Sequence, residues 1–243
     1  MSIIRYLPPT AGRAVAALWL GLAMAPAALA QPAPAPAPAP PRNAVTYYEA
    51  DPAKAAEAAS VLRAEVRRLR AEPGAPAVML IQEVGHPERL VVVERWAGEP
   101  ALAQSQASRP ASNARLAPLL VAPPDLRLGL APKAAVAPPA AYPKAGVVAL
   151  VHVDVIPVKL ADVVDALDVR MRAARTSPGA LEADVLQQAN RSNHFTVLAA
   201  WTDRAAYARW AASAPAKAFR AIFHEVRGAP FEEQLYTVLD PVR

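Results

Sequence analysis

The stretch "HFTVLAAWTDRAAYARWAASAPAKAF", residues 194–219, predicts a β-strand that ends in a tryptophan and leads directly into a helix. Its first part alternates, with Phe195 and Trp201 on the same face, and such alternation is typical of a half-buried strand. A second stretch of the same pattern, "RLVVVERWAGEPALAQSQASRPASNA", occupies residues 89–114. The chain therefore contains this strand-and-helix unit twice.

The two units belong to copies of one longer repeat. An offset of 105 positions separates Trp96 from Trp201. The same offset relates many other identical residues without any gap: Pro52 and Pro157, Lys54 and Lys159, Leu62 and Leu167, Arg67 and Arg172, Arg70 and Arg175, Pro73 and Pro178, Gly74 and Gly179, Gln82 and Gln187, Ser108 and Ser213, Pro110 and Pro215, Arg115 and Arg220. A chance alignment would drift, so the pattern indicates a tandem duplication.

Each repeat predicts the element order βαββαβ. The second copy predicts strands at 147–155, 183–188, 195–201 and 231–239, a first helix that opens at Pro157, and a second helix from Arg204 to Phe223. This order is the ferredoxin-like plan, in which both helices cover one face of an antiparallel sheet. A single small sheet buries too little, so we expect the two repeats to pair within the chain as an α+β barrel.

Flanking segments divide the chain into five parts. Residues 1–30 combine two arginines, a short apolar run and "ALA" before Gln31, which is typical of a secretory signal peptide cut after Ala30. An uncleaved anchor is the alternative, but it needs roughly 17 or more apolar residues. The other parts are a Pro/Ala-rich linker (31–43), a degenerate repeat 1 (44–131), a proline-rich linker (132–144) and repeat 2 (145–243). We expect a periplasmic or secreted protein with no stable membrane span after cleavage.

Composition and motif content argue against several classes of function. The chain has no cysteine and so forms no disulfide, which suits an oxidising compartment. The net charge of +5 is mild and its arginines are scattered, so we expect no nucleic-acid partner. The four histidines lack HxH or HxxxH spacing, which argues against a protein-built metal site. The sequence contains no nucleotide-binding or hydrolase motif.

The second repeat, from Gly146 to Leu239, resembles the antibiotic biosynthesis monooxygenase (ABM) superfamily, and the first repeat does so more faintly. The resemblance lies in the "SPG" turn, the F-x-V-x-x-x-W strand ending at Trp201, the aromatic Trp210 nine residues later and the P-F-x-x-x-L-Y final strand. Members of that family are dimeric α+β barrels, and many oxidise quinols or polyketide anthrones with molecular oxygen and neither metal nor flavin. The resemblance implies a small aromatic or quinol-like ligand and no cofactor.

The chain departs from the family pattern at positions that matter for chemistry. Typical members have E-x-W at the end of this strand; Glu94 and Trp96 keep it in the first copy, whereas Ala199 breaks it in the second. Members often place a histidine where the second copy has Trp210. Haem-degrading relatives carry a histidine ten residues further on, where this chain has Arg220, so the haem branch is disfavoured.

A cofactor-free oxygenase needs a base, a dry pocket and donors for the developing anion. The candidate catalytic residues are His152, the best base by type, Asp154 on the same strand face, and Trp201. Whether the face of His152 points into the barrel stays open. Trp201 would stack a planar substrate at the barrel mouth, although a core anchor is the favoured interpretation. The candidate binding residues are Trp210, Tyr207, Arg220, Tyr236, Glu94 and Trp96, of which Trp210 and Tyr207 also have core spacing.

Two functions remain open at this point. One is an exported, cofactor-independent monooxygenase acting on a quinol or an aromatic polyketide-like substrate. The other is a non-catalytic barrel that binds a hydrophobic ligand or a partner protein, which the lost family residues favour for at least one half. We expect the more polar cavity in repeat 2, around His152, and we expect His86 and His194 to be solvated turn residues. Oligomerisation of the whole chain also stays open.

Overall fold

The computed structural model describes residues 42–75, 77–130, 145–228 and 233–240. The expected signal peptide and residues 31–41 and 132–144 of the expected linkers lie outside these ranges. The first strand begins at Arg42, so Arg42 and Asn43 belong to repeat 1 and not to the linker. None of the helices in the described ranges is long and apolar enough to cross a lipid bilayer.

Both repeats fold in the expected order. The first contains β1 (Arg42–Glu49), α1 (Ala55–Arg70), β2 (Ala77–Glu83), β3 (His86–Trp96), α2 (Glu99–Ala107), α3 (Pro110–Leu116) and β4 (Asp125–Leu130). The second contains β5 (Val147–Asp154), α4 (Leu160–Arg175), β6 (Ala180–Gln188), β7 (Arg191–Trp201), α5 (Arg204–Ala211), α6 (Ala214–Val226) and β8 (Glu233–Val238).

The second helix of each repeat is broken in two, so the prediction of one helix from Arg204 to Phe223 is wrong. The break lies between α5 and α6. Ser213 causes it, because its hydroxyl accepts a hydrogen bond from the backbone N–H of Ala216 at 3.4 Å and so caps a new helix. Pro215 stands in the first turn of α6, where a missing N–H costs nothing.

The eight strands close into one barrel in the order β1-β3-β2-β8-β5-β7-β6-β4, and all neighbours are antiparallel. The last strand of each repeat joins the other repeat, because β8 pairs with β2 and β4 pairs with β6. The expected pairing of the repeats within one chain is therefore confirmed. Four antiparallel steps lead from β1 to β5, so these strands run in the same direction. Residues related by the offset of 105 thus lie at the same end of the barrel.

Apolar side chains form three layers. One layer lies between the helices and the sheet of repeat 1 and includes Trp96, and a matching layer in repeat 2 includes Trp201. The third layer fills the centre of the barrel with side chains such as Val45, Met79 and Leu150. Successive strand residues point to opposite faces. His152 therefore shares the interior face with Leu150, which resolves the question that the sequence left open.

Candidate functional site

Polar interior side chains from both repeats meet at the end of the barrel where β1 and β5 finish. We call this region the histidine end and define it by Tyr47, Arg127, His152, Asp154 and His194. Under the offset of 105, Tyr47 corresponds to His152. Because equivalent positions lie at the same end of the barrel, the duplication has placed a phenol in one half and an imidazole in the other.

Three side chains of repeat 2 form a chain of contacts at the histidine end. Nε2 of His152 lies 3.1 Å from Nδ1 of His194, and Nε2 of His194 lies 3.4 Å from Oδ1 of Asp154. The pairing of β5 with β7 causes this arrangement, because it sets Asp154 directly opposite His194. Asn193 holds the carboxylate by donating from Nδ2 to Oδ1 of Asp154 at 3.3 Å.

With both rings neutral, one arrangement of protons satisfies the contacts among His152, His194 and Asp154. A neutral His194 satisfies Asp154 only if it carries its proton on Nε2, which leaves its Nδ1 as an acceptor. His152 must then donate from Nε2, so the lone pair of His152 lies on Nδ1. That Nδ1 atom is buried and has no hydrogen-bond partner of ordinary geometry in the part of the chain that the structure describes. The chain of contacts therefore presents a basic nitrogen atom.

Arg127 supplies positive charge to the same region. Its guanidinium lies over the ring of Tyr47, 4.5 Å from the ring centroid. Nε and Nη2 both donate to Oδ2 of Asp125, at 2.9 and 2.7 Å, whereas the buried Nη1 has no partner among the described residues. A buried guanidinium N–H without an acceptor is suited to an anionic or phenolic oxygen. Arg127 thus adds a donor near the base.

Burial and charge keep His152 neutral. The pKa of His152 is lowered from 6.5 to about 4, mainly by burial, and the electrostatic effects of Arg127 and His194 act in the same direction. Asp154 opposes this shift, as does the backbone carbonyl of Phe195. At neutral pH the imidazole is therefore unprotonated and able to accept a proton. Within the described ranges, no group of three or more His, Asp or Glu side chains is arranged to hold a metal ion.

A cavity of about 260 Å³ opens at the same end of the barrel. Its lining includes Tyr47, Glu83, Arg89, Asp125 and Tyr236. Apart from Tyr236, these side chains belong to repeat 1, so our expectation of the polar cavity in repeat 2 is wrong for this cavity. The physical reason is the closure of the barrel, because β8 of repeat 2 pairs with β2 of repeat 1 and sets Tyr236 opposite Glu83.

Four of the candidate residues lie on the other face of the sheet. Trp201 is fully buried and stacks on Trp210, with ring centroids 5.9 Å apart, and Tyr207 meets its edge at 6.5 Å. Arg220 donates from Nη2 to the backbone carbonyl of Ala211 at 2.5 Å. This group packs between sheet and helices. Trp201 therefore does not lie at the barrel mouth, and the sheet separates it from His152.

Glu94 and Trp96 form a buried pair in repeat 1 whose polar side-chain atoms all have hydrogen-bond partners. Nε1 of Trp96 donates to Oε2 of Glu94 at 3.0 Å, and Arg109 donates to both carboxylate oxygens. Repeat 2 has Ala199 at the position of Glu94, and the buried Nε1 of Trp201 has no partner among the described residues. The nine candidate residues thus fall into three places, and only His152, Asp154 and Tyr236 face the barrel interior.

The sequence analysis missed three members of the histidine end. His194 was expected in a solvated turn, but β7 begins at Arg191, which brings His194 into the strand opposite Asp154. Counting the hairpin register back from Trp201 could have found it. Tyr47 and Arg127 belong to the repeat regarded as degenerate. The offset links Tyr47 to His152, whereas no sequence signal identifies Arg127.

Comparisons with known proteins agree with this architecture. The family model described as antibiotic biosynthesis monooxygenase matches residues 41–115 and 146–222, once in each repeat. A candidate monooxygenase from Fusobacterium nucleatum subsp. nucleatum ATCC 25586 has a TM-score of 0.68 and 13% identity, over 83% of this chain and 94% of that chain. A candidate monooxygenase from Lactobacillus acidophilus NCFM has a TM-score of 0.60 and 14% identity, over 83% of this chain and 100% of that chain. An anthrone oxidase-like protein has a TM-score of 0.61 and 13% identity, over 82% of this chain and 92% of that chain. At these identities the similarity shows the fold alone. No curated protein matches the sequence.

Proposed function

The chain belongs to the antibiotic biosynthesis monooxygenase family, and from that premise we propose that it is an exported monooxygenase that oxidises a quinol or an aromatic polyketide-like substrate without a cofactor. The proposal of export rests on the signal-peptide pattern of residues 1–30. The proposal of the reaction rests on one observation, the unpaired Nδ1 of His152 held in place by His194 and Asp154.

His152 acts as the general base in this reaction. Its pKa of about 4 keeps it neutral, but proton transfer from a phenol to so weak a base needs compensation. The negative charge of Asp154 is already included in that pKa, which would be lower without it. The phenolate provides the compensation, since it forms an ion pair with the imidazolium. The free N–H of Arg127 stabilises the phenolate oxygen.

The remaining chemistry belongs to the substrate and to oxygen. Loss of the proton to His152 gives an electron-rich anion that O₂ oxidises directly. For a CH₂ group activated by an adjacent phenol, CH₂ and O₂ become C=O and H₂O, so that one oxygen atom enters the product and the other leaves as water. The protein contributes the base, the cation and exclusion of water.

The alternative, a non-catalytic barrel that binds a hydrophobic ligand or a partner protein, is favoured by a different observation. Apolar side chains fill the centre of the barrel, among them Val45, Met79 and Leu150. The cavity at the histidine end, about 260 Å³, is also smaller than the roughly 300–1,000 Å³ of most ligand sites. A barrel of this kind binds a small ligand without converting it chemically.

Oxygen uptake with reduced quinones separates the two functions. His152→Ala is expected to lower the turnover of the purified protein by about 10²–10⁴-fold, the usual contribution of a general base. His86→Ala serves as the control, because the side chain of His86 is 49% exposed and, among the described residues, its one polar contact is with Glu88. Unchanged turnover in a folded His152→Ala protein would reject His152 as the base. Absence of uptake by the parent protein with all reduced quinones tested would favour the binding function.

A further inference from the structure

The cavity at the histidine end contains a buried carboxylate with a single, long ion pair among the described residues. Glu83 lines the cavity and is only 7% exposed. Its one cationic contact is Arg89, whose Nη1 lies 3.4 Å from Oε1, at the long limit of a hydrogen bond. Oε2 of Glu83 has no hydrogen bond to the described residues. Buried carboxylates are normally hydrogen-bonded or paired, and Glu83 has a single long contact of this kind among the described residues.

The rest of the lining increases the negative charge. Glu49 and Asp125 also line the cavity, and Arg89 is the one cation in its lining. Asp125 is paired with Arg127, and the exposed side chain of Glu49 makes no hydrogen bond or ion pair within the described ranges. Two carboxylates therefore face one guanidinium, and the side chain of that guanidinium is 46% exposed to solvent. The cavity carries an excess of negative charge.

Aromatic rings complete the site. Tyr47 and Tyr236 both line the cavity, and Tyr47 already binds a cation, because the guanidinium of Arg127 lies 4.5 Å from its ring centroid. Tyrosine faces attract ammonium groups through the ring quadrupole, most strongly where water is displaced. A volume of about 260 Å³ limits the occupant to a small molecule, of the order of one ring with a short side chain.

We propose that this cavity binds a small organic ammonium ion, with the ammonium group on Glu83 and the carbon skeleton against Tyr47 and Tyr236. The proposal does not depend on the proposed oxygen chemistry, because His152 is not among the residues that line the cavity. The corresponding position in repeat 2 is Gln188, so the duplicated scaffold already accommodates glutamine where Glu83 stands. Repeat 2 therefore lacks the charge on which the proposed site depends.

Calorimetric titration of the whole chain with three matched probes tests the proposal. The probes are 2-phenylethylammonium, 3-phenylpropionate and 2-phenylethanol, which carry positive, negative and no charge on similar skeletons. We expect the ammonium probe to bind with a Kd of roughly 0.1–1 mM, as suits so small a ligand, and the carboxylate probe not to bind. Equal binding of all three probes, or no heat from the ammonium probe at about 10 mM, would overturn the proposal.

Two substitutions that are expected to change the affinity for the ammonium probe in opposite directions make the test specific. Glu83→Gln keeps the shape of the side chain and should weaken binding of the ammonium probe by about 10-fold or more, the value of a hydrogen bond to a charged group. Arg89→Gln removes the competing cation and should strengthen binding. Glu99→Gln is the control, because its side chain is 71% exposed on α2 at the other end of the barrel. If Glu83→Gln and Glu99→Gln bind alike, or Arg89→Gln weakens binding, the site assignment is wrong.

Discussion

Replacing Glu182 by glutamine should change the way in which the stability of the protein depends on pH. Glu182 belongs to a buried interior cluster with Arg95 and Asp184, at the end of the barrel opposite the histidine end. Arg95 of β3 donates to Oε1 of Glu182 at 2.6 Å and also contacts Asp184 of β6, so the cluster joins the two repeats. The pKa of Glu182 is raised from 4.5 to about 8, mainly by burial and also by Asp184, while Arg95 opposes the shift.

The direction in which stability changes with pH follows from the number of protons that the folded and unfolded states bind. In the unfolded chain Glu182 loses its proton near pH 4.5, whereas in the folded chain it keeps the proton to about pH 8. Its contribution to stability is therefore complete below pH 4.5, falls as pH rises from there to about 8, and is constant above that. Each pKa unit corresponds to about 1.4 kcal/mol, so the loss between pH 4.5 and about pH 8 is on the order of 5 kcal/mol.

Urea unfolding of the parent and of Glu182→Gln, measured from pH 5 to pH 9, tests this reasoning. The glutamine cannot ionise, so the free energy of unfolding of the parent should fall relative to that of the variant as pH rises. Groups present in both proteins, such as His152, cancel in the difference. Parallel curves would show that Glu182 does not titrate in this range. A parent that gains stability over the variant with rising pH would show that Glu182 is ionised and paired with Arg95.

Two further predictions concern the tryptophans and the base. Trp201→Ala and Trp96→Ala should each lower the free energy of unfolding by about 3–5 kcal/mol in a urea melt, and Trp96→Ala by the larger amount because Glu94 also loses its indole donor. A Trp201→Ala protein that melts like its parent would show that the ring is not a core anchor. The proposed oxygen uptake should be independent of pH near neutrality and fall as pH decreases through about 4, where His152 becomes protonated. A rate that falls already near pH 6.5 would mean that His152 titrates as it does in the unfolded chain.

Much of the fold was accessible from the sequence because its signals are local or repeated. Strand alternation placed Phe195 and Trp201 on the same face, and the structure has both on the side that packs against the helices. The gapless offset predicted two equivalent sheets, and the size of one sheet predicted that they pair. The break between α5 and α6 was missed because Ser213 and Pro215 lie within a stretch of alanines that continues the helical pattern.

The interior contacts were not accessible because they depend on how the two halves differ. Arg95 corresponds under the offset to Ala200, and Glu182 and Asp184 correspond to Ala77 and Met79. Two copies of repeat 2 would therefore bring four acids into one barrel without Arg95, and two copies of repeat 1 would bury two arginines without acids. Unpaired buried charges cost several kcal/mol each. Arg175 pairs with Asp184 inside repeat 2, but only the combination of repeat 1 with repeat 2 pairs Glu182 with Arg95. The divergence that made repeat 1 look degenerate therefore also makes the two halves depend on each other.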